Sequence, residues 1–117
     1  MSSTQENETS TREEEKIVLK KDTIECRYPS EEILLYLFKL AISEDKPLML
    51  DYWVDSCEDQ CIIGIRDNGE KILLRRAGDE YTSTIETIYN ADKEYIIVTE
   101  NSIYLVSSEI NQYGISD

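Results

Sequence analysis

Residues 94–107 read EYIIVTENSIYLVS, two β-rich apolar runs separated by Glu100 and Asn101. A two-residue turn at Glu100-Asn101 sets Val98 opposite Ile103, Ile97 opposite Tyr104, Ile96 opposite Leu105 and Tyr95 opposite Val106. Side chains alternate across a strand, so Ile96, Val98, Ile103 and Leu105 fall on one face, and Tyr95, Ile97, Thr99, Tyr104 and Val106 on the other. Both faces are coherent in this register, and a slip of one residue would scramble them. The first face is aliphatic and demands burial. The second is aromatic and mixed, and is expected to be partly covered.

A second hairpin is expected over residues 61–76, CIIGIRDNGEKILLRR. Asn68-Gly69 suits a type I′ turn, in which both central residues take positive φ. That turn pairs Arg66 with Lys71, Ile65 with Ile72, Gly64 with Leu73, Ile63 with Leu74 and Ile62 with Arg75. Ile63, Ile65, Ile72 and Leu74 then form a core face. Arg66, Lys71 and Arg75 share the opposite face, where like charges repel unless carboxylates intervene. They are a candidate anion patch; the plainer reading is a salt-bridged outer face in a chain where 25 acidic residues outnumber 12 basic ones.

Upstream, Pro29-Ser30-Glu31-Glu32 has the chemistry of a helix start, with a capping hydroxyl and two carboxylates at the positive end of the dipole. The helix is expected over 31–43 and ends at Glu44-Asp45-Lys46-Pro47, since proline disfavours helix at the residue before it. Ile33, Leu34, Leu35, Tyr36, Leu37, Phe38, Leu40, Ala41 and Ile42 cover most of its circumference, so one face meets a sheet and the rest needs a second cover, from this domain or another subunit. Residues 48–55, LMLDYWVD, alternate as a strand. Met49, Asp51, Trp53 and Asp55 share its polar side, which makes Trp53 a candidate contact anchor. Residues 17–28 alternate as another strand, with Ile24, Cys26 and Tyr28 on one side. Residues 81–89, YTSTIETIY, have high β-propensity, but Ile85 and Ile88 are out of phase, which predicts a bulge or a bent strand.

These elements predict an α+β fold: an antiparallel meander of five or six strands, a curled sheet or small open barrel, with one apolar helix packed on it. The expected organisation is a disordered acidic and polar tail over 1–16, a single domain over 17–108 and a short C-terminal tail over 109–117.

Composition narrows the function. The 117-residue chain carries a net charge of −13 and no histidine. Direct nucleic-acid binding needs clustered basic residues, and an anionic membrane surface needs the same. The charge suits a basic protein partner. Lack of histidine removes the commonest general base and metal ligand. The three cysteines, Cys26, Cys57 and Cys61, are too few for a zinc site without histidine. Their odd number, with no secretory signal in view, reads as reduced thiols in a cytoplasmic setting. A Cys57–Cys61 bridge would need an oxidised chain, and spacing does not establish it. No apolar run approaches the ~20 residues of a membrane span. The Tyr81–Thr84 hydroxyls have no adjacent base. No cofactor and no metal is expected.

The stretches KPLMLDYWVDS, IGIRDNGEKILL, EYTSTIETIY and EYIIVTENSIYLVSS resemble short uncharacterised proteins encoded by large nucleocytoplasmic DNA viruses, over about residues 46–108. The resemblance assigns no chemistry and no functional residue. It implies an infected cell's cytoplasm or a virion as the setting.

The leading expectation is a non-enzymatic interaction or structural module, a component of a larger viral assembly, with a protein partner or a second copy of itself. Trp53, Met49, Tyr95 and Tyr104 are its candidate contact residues. The alternative is an acidic decoy for the basic surface of a nucleic-acid-binding protein, using loop carboxylates such as Glu58, Asp59, Asp79 and Glu80. The third is an enzyme built on Asp51 and Asp55, which would share one strand face. Abundant acidic residues supply such pairs by chance.

Overall fold

A computed structural model describes residues 28–76 and 80–116. The strand expected over 17–28, with Cys26, lies outside them except for Tyr28, as does the 1–16 tail. The chain runs α1 (Glu31–Glu44), β1 (Leu48–Met49), α2 (Trp53–Cys57), β2 (Cys61–Ile65), β3 (Lys71–Arg75), β4 (Glu80–Tyr81), β5 (Ile85–Ala91), β6 (Glu94–Thr99), β7 (Ile103–Ser107) and β8 (Asn111–Gly114). The fold is α+β, but among the described residues it is not one meander and no barrel closes. These residues form two four-stranded sheets, ordered β1-β7-β6-β5 and β4-β3-β2-β8. Each contains one parallel pair, β1 with β7 and β2 with β8.

The β6–β7 hairpin has the register that the sequence predicts, from Val98 opposite Ile103 to Tyr95 opposite Val106. Its turn is held by Thr99, whose hydroxyl accepts from the Asn101 and Ser102 N–H groups at 3.3 and 3.0 Å. Ile96, Val98, Ile103 and Leu105 pack against Ile33, Leu37 and Leu40 of α1. The other face is not half-covered as expected: Ile97, Tyr104 and Val106 are buried against Cys61, Ile63 and Leu73 of the second sheet. The molecule is therefore three layers, helix on sheet on sheet. Each fully buried aliphatic side chain contributes about 1.5–3 kcal/mol, and this hairpin supplies them to both cores.

Helix α1 begins as predicted. The Ser30 hydroxyl accepts from the Ile33 N–H at 3.3 Å, and Asp45, with φ 56°, closes the far end in a left-handed conformation. Lys46 Nζ then reaches Glu86 Oε1 at 2.9 Å and the Thr99 carbonyl at 2.7 Å, fastening that end to the sheet. The side of α1 away from the sheet stays open: Leu35, Phe38 and Ile42 are 57%, 52% and 81% exposed. Their spacing of three and four residues aligns them in one stripe.

The second hairpin departs from its predicted register by one residue. Ile62 pairs with Leu74, Ile63 with Leu73 and Ile65 with Lys71. The cause lies in the loop. Gly69 takes φ +91° and Asn68 does not take positive φ. The Gly69 N–H donates to the Arg66 carbonyl at 2.9 Å and the Arg66 N–H to the Glu70 carbonyl at 2.8 Å. This is a three-residue loop with a left-handed glycine bulge, one residue longer than a type I′ turn. The slip turns β3 over, so Leu73 joins Cys61 and Ile63 in the core where Ile72 and Leu74 were expected. It also places Arg75 on the inner side of β3, with Leu73.

Residues 48–55 are not one strand. β1 pairs only Leu48 and Met49 with Ile103 and Tyr104. Beyond them the chain turns into α2, and Ser56 replaces a strand residue. Its hydroxyl accepts from the Ser107 N–H at 2.8 Å and donates to the Trp53 carbonyl at 2.6 Å. The expected bulge is present, with the β5–β6 register shifting between Ile85 and Thr87. The expected C-terminal tail instead supplies β8, and Ile110 is buried in the inter-sheet core. Gly64 lies beneath that segment, where a Cβ would come 2.9 Å from Ile115 Cδ1 and oblige that side chain to shift. Among the described residues no helix is long and apolar enough to cross a membrane.

Candidate functional site

The turn that replaces the predicted strand brings three tyrosines and two carboxylates to one place. Met49 and Tyr104 face each other in the β1–β7 register. Tyr52 follows at the entry to α2, and Glu80 and Tyr81 arrive on β4. With Asp51 they line an open concavity of about 360 Å³. The Tyr52 and Tyr104 rings meet edge to face with centroids 5.0 Å apart. Both are buried, whereas Tyr81 is 63% exposed at the rim.

Arg75 forms the wall behind Tyr52. Its guanidinium carbon lies 4.7 Å from the Tyr52 ring centroid. Its Nε donates to Asp55 Oδ2 at 2.5 Å, and its Nη1 to Asp51 Oδ2 at 3.2 Å and Glu80 Oε1 at 3.1 Å. Its Nη2 donates to the Asp51 carbonyl at 2.7 Å. These bonds, the Asp55 one above all, hold the guanidinium pKa above its ordinary value. Three carboxylates surround one guanidinium, so the mouth remains net negative. Burial pushes the Tyr52 hydroxyl up to about 12, helped by Tyr104, Glu80 and Asp51 and opposed by Arg75. Burial likewise raises Tyr104. Both hydroxyls stay protonated near neutral pH, and the rings act as neutral π surfaces. Such rings beside carboxylates attract cations.

The sequence-predicted residues are redistributed. Trp53 is only 7% exposed and lies in the core under α1, so it is no surface anchor. Alternation placed it outward, but α2 rotates it inward. Met49 and Tyr104 do come together at the concavity. Tyr95 packs at the margin of the inter-sheet core and does not line it. The anion patch does not assemble. Arg75 is enclosed by Asp51, Asp55 and Glu80, Lys71 Nζ lies 3.3 Å from Gln112 Oε1, and Arg66 enters the loop. Asp51 and Asp55 share Arg75 rather than a strand face. Cys57 packs against the core under α1 and Cys61 is buried between the sheets, and no bridge joins them. Burial raises the Cys61 thiol to about 12, with Asp55 adding to the effect.

Tyr52, Tyr81 and the role of Arg75 escaped the sequence reading. Alternation sets Tyr52 opposite the polar side of the strand expected over 48–55, and Tyr81 falls in the β-rich stretch 81–89, whereas it lies on β4, separate from β5. The one available signal was the surplus of carboxylates over Arg75, which the salt-bridged reading of that face anticipated. Among the described residues no group of three His, Cys, Asp or Glu side chains is arranged to hold a metal ion. No family model, curated protein or solved structure matches this chain.

Proposed function

We propose that this protein is a non-enzymatic interaction module that engages a basic protein partner. The Tyr52–Tyr81–Tyr104 concavity, with Asp51 and Glu80 at its mouth, receives a lysine or arginine side chain. The observation that carries this reading is the meeting of aromatic rings and surplus carboxylates in one open concavity. The net charge of −13 supports it by drawing basic surfaces at long range. The basic face of a nucleic-acid-binding protein presents such side chains in number.

Titration with an Arg- and Lys-rich peptide tests it. A cation–π contact at a partly exposed ring contributes about 0.5–1 kcal/mol. Tyr81→Ala is therefore expected to weaken binding by roughly two- to fivefold. Glu80→Gln is expected to weaken it and flatten its salt dependence. Absence of peptide binding, or equal binding by both variants and the parent, would count against the reading.

A second reading, a structural subunit of a larger viral assembly, draws on the stripe of Leu35, Phe38 and Ile42 and on the resemblance of residues 46–108. Light scattering separates it. A mass that stays at the 13.6 kDa of one chain up to high concentration would remove self-assembly.

A further inference from the structure

The concavity beside Arg75 combines an aromatic lining with carboxylates that already serve a cation of this chain. Tyr52 and Tyr104 are buried, and Met49 packs half-buried against the same inter-sheet core. The two rings stand at 63° to each other, so they form a corner rather than a flat wall. Tyr81 adds an exposed ring at the rim. One of these rings carries a cation in the structure itself, since the Arg75 guanidinium carbon lies 4.7 Å from the Tyr52 centroid.

The carboxylates are turned towards that same guanidinium. Asp51 Oδ2 and Glu80 Oε1 both accept from Arg75 Nη1, at 3.2 and 3.1 Å, and Asp55 holds Arg75 from its Nε side. The Asp51 and Glu80 side chains are also about half-exposed. They therefore give the mouth negative charge, while part of their hydrogen-bonding capacity is committed to Arg75.

This division matters for the kind of cation received. An unmodified lysine ammonium is compact, strongly hydrated and rich in N–H donors. Moving it against aromatic rings strips water, and each donor left without an acceptor costs free energy. A trimethylammonium carries the same charge on a larger, apolar surface and has no donor to satisfy. Its methyl groups meet ring faces and a thioether directly, and its charge still responds to the rings and to the carboxylates.

We infer that the concavity lined by Met49, Tyr52, Tyr81 and Tyr104 selects a trimethylated lysine side chain on a basic protein partner over the unmodified lysine. The inference rests on the proposed reading of this concavity as a cation site and names its preferred ligand. The partner's other basic residues are drawn by the net charge of −13, and the methylated side chain supplies the specific contact.

Calorimetric titration of the full chain tests this with three peptides of one Arg- and Lys-rich sequence. Their central lysine is unmodified, trimethylated, or replaced by the uncharged tert-butyl analogue. The trimethylated peptide is expected to bind at least about fivefold tighter than either of the others. Tyr81→Phe should keep that preference, and Tyr81→Ala should reduce it to below about twofold. Equal or tighter binding of the unmodified peptide would overturn the inference and leave the proposed function standing. Binding of none of the peptides would overturn both. Equal binding of the uncharged analogue would reduce the contact to apolar burial and overturn the inference. So would free choline binding as tightly as the trimethylated peptide, because the site would then take a small quaternary amine. Should Tyr81→Ala fail to fold, the ratios measured on the parent decide the matter.

Discussion

The two hairpins of this molecule look alike as sequence and differ in outcome. β6–β7 turns through Glu100-Asn101 in the predicted register. β2–β3 turns through Asp67-Asn68-Gly69 and lies one residue out of the predicted register. Glu100-Asn101 lacks a glycine, and its loop is set from the strand side by Thr99, which is fully buried and bonds three backbone groups of the turn. Asn-Gly admits two loops, the two-residue type I′ turn and a longer loop with a glycine bulge. The outer face of β2–β3 is apolar as well, so hydrophobic pattern alone cannot choose between them. A turn motif fixes register only when the flanking strands have faces different enough to penalise the slip.

The largest test of that contrast lies in the central hairpin. Ile97 faces the inter-sheet core in a strand covered on both sides, and Ile97→Ala is expected to cost about 2–5 kcal/mol in denaturant unfolding. A loss below about 1 kcal/mol would mean the second sheet does not cover this face. Next comes the register itself. Leu73 is fully buried and Leu74 is not. Leu73→Ala should therefore destabilise clearly more than Leu74→Ala, and the reverse order would restore the type I′ register.

The interface that the slipped hairpin makes with the first sheet should also respond to alkali. Tyr52 and Cys61 both have folded pKa values of about 12, above ordinary values of 10.0 and 9.0. The folded state then holds protons that the unfolded state has lost. Their stabilising contribution is complete below about pH 9 and is lost as pH rises from there through 12. Stability measured against pH should fall over that window, and Tyr52→Phe with Cys61→Ala should flatten the fall. A smaller effect is expected at Gly69. A Cβ there touches nothing within 4 Å, so Gly69→Ala costs only the strain of positive φ, about 1 kcal/mol. The same substitution at Asn101 should change stability less, because that turn needs no positive φ.

Much of the candidate site could not be read ahead for the same reason that the second register could not. Alternation in LMLDYWVD places Trp53 on the polar side and Tyr52 on the opposite side. The chain leaves the strand after Met49 because Ser56, on α2, takes up the Ser107 N–H. Nothing local marks a serine for a partner 51 residues away. Met49 and Tyr104 come together because the short β1 still pairs with β7, with Met49 opposite Tyr104. Tyr81 joins them only because β4 pairs with β3, and Arg75 gathers its three carboxylates only because the slipped register turns it inward.

The sequence by itself determined the elements whose bonds are local: the cap at Ser30, the end of α1 at Asp45, the bulge in β5 and the pairing of β6 with β7. Each rests on residues a few positions apart, where spacing and side-chain chemistry carry the information. Tertiary structure alone decided that the strands divide into two sheets, that both faces of the central hairpin are buried, and that tyrosines and carboxylates meet beside Arg75. Those outcomes depend on β1 and β8, parallel strands joined to partners about fifty residues away. A period of two shows that a strand has two faces, but what covers each face is set by whichever distant surface removes the most apolar area from water.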